Sequence, residues 1–164
     1  MPVINTYNRQ KAVDYAEKWA MRRNPKYLDF SGLGGDCTNF ISQCIYAGCN
    51  KMNYTPVYGW FYINSNKRTA SWTGVNFLYN FLINNKTKGP YAIETDVSKI
   101  ELGDIVQLGD ITGRFYHSLI VTKIEGQPSI ETIYISTHTM DFYNRLLNTY
   151  IFDKIRFLHI KGIL

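Results

Sequence analysis

Apolar positions follow a helical period through the first half of the chain. In the second half they cluster instead in short runs of β-branched and aromatic residues. Between residues 8 and 23, Ala12, Tyr15, Ala16, Trp19 and Ala20 recur at helical spacing and predict a first helix, with Asn5, Thr6 or Asn8 as candidate caps and Lys18, Arg22 and Arg23 near its end. Asn24-Pro25 stops it. Residues 25–36 read as a loop closing on Ser31-Gly32-Leu33-Gly34-Gly35, whose glycines allow a sharp turn. A second helix opens at Asp36 or Cys37, puts Phe40, Ile41, Cys44 and Ile45 on one face, and ends at Ala47-Gly48. Residues 49–70 show no period and read as a long loop. Residues 72–84 predict a third helix striped by Trp72, Val75, Leu78 and Leu82.

Residues 104–108, 117–124, 130–138 and 154–160 are rich in Ile, Val, Thr and Tyr and predict strands. Glu125-Gly126-Gln127-Pro128 is a turn that makes the middle two an antiparallel hairpin. Helices followed by antiparallel strands indicate an α+β fold with the helices on one face of the sheet. No repeat, low-complexity tract or linker interrupts the 164 residues, so one domain over 1–164 is expected. With 45% hydrophobic and 19% charged residues, such a chain buries a core without staples. The net charge of +5 favours a polyanionic partner, whether nucleic acid, membrane or bacterial cell wall. The basic residues are scattered without a nucleic-acid motif, and no apolar run has the length of a membrane span, so neither nucleic acid nor membrane is expected as a partner.

Three cysteines, Cys37, Cys44 and Cys49, include no Cys-x2-Cys pair, which excludes a zinc ribbon and leaves at least one thiol free. Residues 1–5 lack the charged-then-apolar pattern of a signal peptide, so the expectation is a chain made inside the cell or an excised domain. Cys37 sits where a helix N-terminus offers unpaired amides and partial positive charge, both of which favour a thiolate. His117 opens an apolar strand, the place for a base serving such a thiol. Strand parity and the 125–128 turn bring His138 near His117. His159 and Cys44 read as structural, and Cys49 has no evident role.

The run Gly35-Asp36-Cys37-Thr38-Asn39-Phe40-Ile41-Ser42-Gln43-Cys44 resembles the nucleophile helix of the putative amidase domain family of Firmicute cell-wall proteins, related to the NlpC/P60 and CHAP cysteine peptidases. Tyr7-Asn8-Arg9, Trp60, Ser71-Trp72-Thr73, Leu102-Gly103-Asp104-Ile105-Val106, Tyr116-His117-Ser118 and Ser136-Thr137-His138 resemble further segments in the same order. The resemblance implies a papain-like α+β fold, with N-terminal helices packed on an antiparallel, barrel-like sheet. It implies Cys37 as nucleophile, His117 as general base and His138 as the residue orienting that base, with Asp141 and Thr139 close enough to compete. Relatives carry an upstream Tyr that helps hold the oxyanion; Tyr27 is a candidate for it, but the loop lengths depart from the family pattern and Tyr27 stays outside the core assignment. Asp36 is a substrate-binding candidate with helix capping as its alternative. Tyr58 and Trp60 are candidates from an aromatic groove, with Trp72 read as core. The implied substrate is peptidoglycan, hydrolysed outside the cell by a monomer without metal or organic cofactor. The rival expectation is a non-catalytic wall-binding module on the same fold.

Overall fold

The computed structural model describes residues 4–164, so the N-terminal reading falls partly on residues 1–3, outside the described residues. Four helices precede most of the sheet. Helix α1, Arg9–Trp19, starts at Asn8, whose side chain accepts the Lys11 amide at 3.0 Å. Helix α2, Cys37–Cys49, is buried along nearly its whole length. It therefore behaves as a central helix rather than an amphipathic surface one. Its polar side chains are satisfied internally: the Ser42 hydroxyl donates to the Trp72 carbonyl, and Tyr15 donates to Gln43 Oε1. The helix runs one residue past Gly48 and is capped by Asn50 in the left-handed region at φ 50°. Gly48 serves a different need, because a Cβ there would lie 2.5 Å from the Tyr7 ring.

A small hairpin, β1 (Tyr62–Asn64) and β2 (Lys67–Arg68), breaks the stretch expected to be all loop. The expected third helix is divided at Gly74 into α3, Ala70–Thr73, and α4, Val75–Asn84. Gly74 is extended (φ −114°, ψ 131°), so the helical ladder cannot pass through it. Leu78 and Leu82 still point into the core with Trp72.

The sheet is formed by β3 (Pro90–Thr95), β4 (Ile105–Gly109), β5 (Phe115–Ile124), β6 (Ile133–Thr137), β7 (Phe142–Leu146) and β8 (Lys154–Ile163), in the order β3-β8-β4-β5-β6-β7, with every pair antiparallel. It is an open sheet, which corrects the barrel-like expectation. β3 and β7 were absent from the sequence reading, and β3 and β7 are its two edges. The β5–β6 hairpin forms as expected. Alternating residues pack on both faces. Ile105, Ile120 and Leu158 join the helices, while Val106, Leu119 and Phe157 join a second cluster with Ile100 and Leu147. Arg9 locks α1 to the sheet through Asp104 at 2.7 Å and the Ile160 carbonyl at 2.7 Å. His159 Nδ1 meets the same Asp104 carboxylate at 2.7 Å, so His159 and the Gly103-Asp104 pair hold this junction together.

Candidate active site

Cys37 is the first residue of α2 and is only 7% exposed. Gly34 and Gly35 lead into it at φ 101° and 109°, values open to glycine and rarely to other residues. The helix is pinned against β5 by a hydrogen bond between the Thr38 and Ser118 hydroxyls (2.9 Å). Gln107 on β4 donates to Ser118 Oγ at 3.1 Å, and Arg156 on β8 donates to Gln107 Oε1 at 2.9 Å. A buried polar ladder thus runs across three strands to the residue beside the thiol. Burial pushes the Cys37 thiol above its ordinary value, and the Asp36 charge adds to this. The Ser118 backbone amide and the Thr38 hydroxyl and amide pull the other way. The helix N-terminus therefore does not prevail over desolvation, contrary to the thiolate expected from position alone.

His117 lies three residues into β5 and is half-buried. It has the parity of Leu119, and its ring is 5.9 Å from that of Tyr150. Burial first, and the Arg145 guanidinium second, lower its pKa from 6.5 to about 4. Arg145 lies 3.7 Å over the Tyr150 ring. The Tyr150 hydroxyl is buried with no hydrogen-bond partner among the described residues, and its ring lies close enough to Cys37 to feel the charge of a thiolate there. Thiol and imidazole thus share Ser118 and Tyr150 as neighbours without being hydrogen-bonded to each other. Both are neutral near pH 7, which makes this a thiol–imidazole site rather than a resting ion pair.

His138 is elsewhere. It is 1% exposed, its Nδ1 donates to Asp36 Oδ2 at 2.5 Å, and its Nε2 lies 2.8 Å from the Trp19 carbonyl. Its ring stacks on Phe40 at 4.0 Å. No hydrogen bond joins His138 to His117, so the structure does not place it as the orienting residue. The reason is strand geometry: the β5–β6 register shifts between Val121 and Lys123, the β6–β7 register shifts between Ile135 and Thr137, and His138 lies past the end of β6 in a turn. Both competitors sit in the same knot. Thr139 Oγ1 accepts the Asp36 amide at 2.7 Å, and Asp141 pairs with Arg23 through bonds of 2.8 and 2.9 Å.

Residues 6–161 match the family described as a putative amidase domain. The chain belongs to that family. It is 38% identical over 120 residues, 70% of this chain, to the uncharacterized protein YhbB of Bacillus subtilis (strain 168), of which the match covers 37%. It is 24% identical over 149 residues, 86% of this chain, to the uncharacterized protein YjcM of the same strain, covering 33% of it. The chain therefore spans about a third of the length of these relatives. No solved structure matches it.

Four further candidates lie away from the thiol and imidazole or are occupied by the fold. Asp36 is buried and fully engaged, which removes it from substrate contact. Trp60 is wholly buried, stacked against Trp72 at 4.6 Å and Phe81 at 5.9 Å, and donates to Ser42 Oγ. It is core. Tyr58 is 84% exposed and lines a cavity of about 620 Å³ with Val57, Phe77 and Phe81, and neither Cys37 nor His117 lines it. Tyr27 packs on Tyr62 and Trp72. Among the described residues no group of three or more His, Cys, Asp or Glu is arranged to hold a metal ion. Sequence reasoning missed Tyr150 and Arg145. They follow no motif, and only the fold of β7 and the turn after it carries them to His117.

Proposed function

We propose that this amidase domain is a papain-like cysteine amide hydrolase acting on peptidoglycan, with Cys37 as nucleophile and His117 as base. The observation that carries the reading is the Cys37 sulfur at the start of a central helix, against the Ser118 amide of the very strand that bears His117. Because both groups rest neutral, the thiol proton passes to His117 as the sulfur attacks the amide carbon. The tetrahedral intermediate collapses to a thioester, and the His117 proton leaves on the departing amine. A water molecule, giving its proton to His117, then hydrolyses the thioester and restores the thiol. Tyr150 supplies the unpartnered hydroxyl beside this chemistry. The thiol and imidazole supply nucleophile and proton carrier, so the scheme needs no cofactor. The +5 charge favours approach to an anionic wall polymer outside the cell, with the protein acting as a monomer. In this reading Tyr58, exposed at its own cavity, holds a remote part of such a polymer.

The test is digestion of purified peptidoglycan followed by mass spectrometry, with the wild type and Cys37→Ser side by side. New amine-terminated fragments from the wild type alone are expected. Equal release by Cys37→Ser would end the cysteine mechanism. The low exposure of Cys37 favours one second reading, a non-catalytic wall-binding module. An undigested wall that still retains both proteins would establish it.

A further inference from the structure

Asp36 occupies the N-cap of α2, where an aspartate ordinarily accepts a hydrogen bond from an amide of the first helical turn. Here it accepts none from the helix backbone. Its Oδ1 takes the Phe30 amide at 2.8 Å and the Asn39 side-chain amide at 2.9 Å, and its Oδ2 takes His138 Nδ1 at 2.5 Å. The backbone of Asp36, at φ −109° and ψ 1°, departs from the extended conformation of a capping residue. Its amide is held as well, by Thr139 Oγ1 at 2.7 Å. One turn therefore grips both ends of the residue before Cys37. In that turn Thr139 and Met140 have φ of 59° and 33°, a conformation in which a β-branched residue is a genuine outlier. Strain of this kind persists only where the surroundings over-determine it.

We propose that His138 is a positioning residue: by binding Asp36 Oδ2 it holds the carboxylate off the backbone of α2, with Oδ1 on the Asn39 side chain, and keeps the first-turn amides open for the oxyanion formed at Cys37. The inference rests on the reading of Cys37 as nucleophile. A carboxylate swung onto the helix would occupy those donors and bring negative charge toward both the sulfur and the developing oxyanion. The stack on Phe40 and the Trp19 carbonyl fix the imidazole from the other side, and Arg23 Nη1 lies 3.2 Å from its Nε2.

Two variants separate this role from a merely structural one. His138→Asn places an amide nitrogen near the Nδ1 position and keeps the bond to Asp36. His138→Gln reaches toward Trp19 and loses it. His138→Phe, which keeps the stack on Phe40, is a second donor-less variant should the Gln protein melt. Hydrogen exchange at the Thr38 and Asn39 amides is expected to slow in the donor-less variants and to stay as in the wild type in His138→Asn. In the same proteins kcat on peptidoglycan should fall about 10²-fold without the donor, the usual loss on removing an oxyanion donor, with KM nearly unchanged and His138→Asn close to wild type. Unchanged exchange in both donor-less variants overturns the proposal whether or not the protein hydrolyses anything. Slowed exchange with undiminished turnover overturns the catalytic half. Slowed exchange in the donor-less variants, together with a wild type that shows no turnover, points instead to failure of the Cys37 reading.

Discussion

Acidification tests the His117 environment directly. In the folded chain its pKa is lowered from 6.5 to about 4, mostly by burial and further by Arg145. Between those values the unfolded chain binds a proton that the native chain refuses, so native stability falls as pH drops through 6.5 and levels off below about 4. At about 1.4 kcal/mol per pH unit, the drop from 6.5 to about 4 is a loss of about 3 kcal/mol from this one group. Other groups contribute to the same acid response, so the useful quantity is a difference. Urea unfolding at pH 7.5, 6, 5 and 4, run in parallel on the wild type and His117→Gln, cancels the shared groups. The variant should be less sensitive to acid, and its stability relative to wild type should improve by about 3 kcal/mol across the window. Parallel curves for the two proteins, or an imidazole that titrates near 6.5 by NMR, would refute the buried neutral base.

Two further outcomes follow from the same burial. Native Cys37 should react with iodoacetamide more slowly than free cysteine at pH 7.5, because desolvation raises the thiol; a faster reaction would mean that the helix N-terminus prevails after all. Cys44→Ala removes a wholly buried side chain from the helix core and should cost about 1 kcal/mol in urea unfolding, with activity per folded molecule retained; unchanged stability would contradict its core placement.

Much of the helical half was legible because burial follows a 3.6-residue period wherever one element meets one core. Phe40, Ile41, Cys44 and Ile45 show it, and Asn8 caps as its residue type suggests. Gly74 was misread because a helical stripe survives the break: Trp72, Leu78 and Leu82 remain on one core although the backbone between them is extended. β7 was missed because its five residues are at most partly buried and include Asn144 and Arg145, so no apolar run announces an edge strand. The position of Cys37 at a helix start and of His117 in a strand could be read locally. The place of His138 could not, since parity counting assumes an unbroken ladder and a register shift breaks the β5–β6 ladder between Val121 and Lys123. Trp60 illustrates a different limit. An aromatic residue in an aperiodic stretch looks the same in sequence whether it faces solvent or a second tryptophan.

The order in which the strands are made differs from the order in which they lie. β8 is the last of these six strands in chain order, yet it sits inside the sheet between β3 and β4. A nascent chain lacking residues 154–163 already carries the thiol, the imidazole and the whole β4–β7 meander. It leaves β3 without any partner strand and Arg9 without the Ile160 carbonyl. Gln107, joined to Thr38 beside the thiol by two hydrogen bonds through Ser118, also lacks its Arg156 donor at that stage. Domains fold largely as units during synthesis, so the surroundings of Cys37 and His117 are completed only when residues 154–163, far from both in sequence, have joined the sheet.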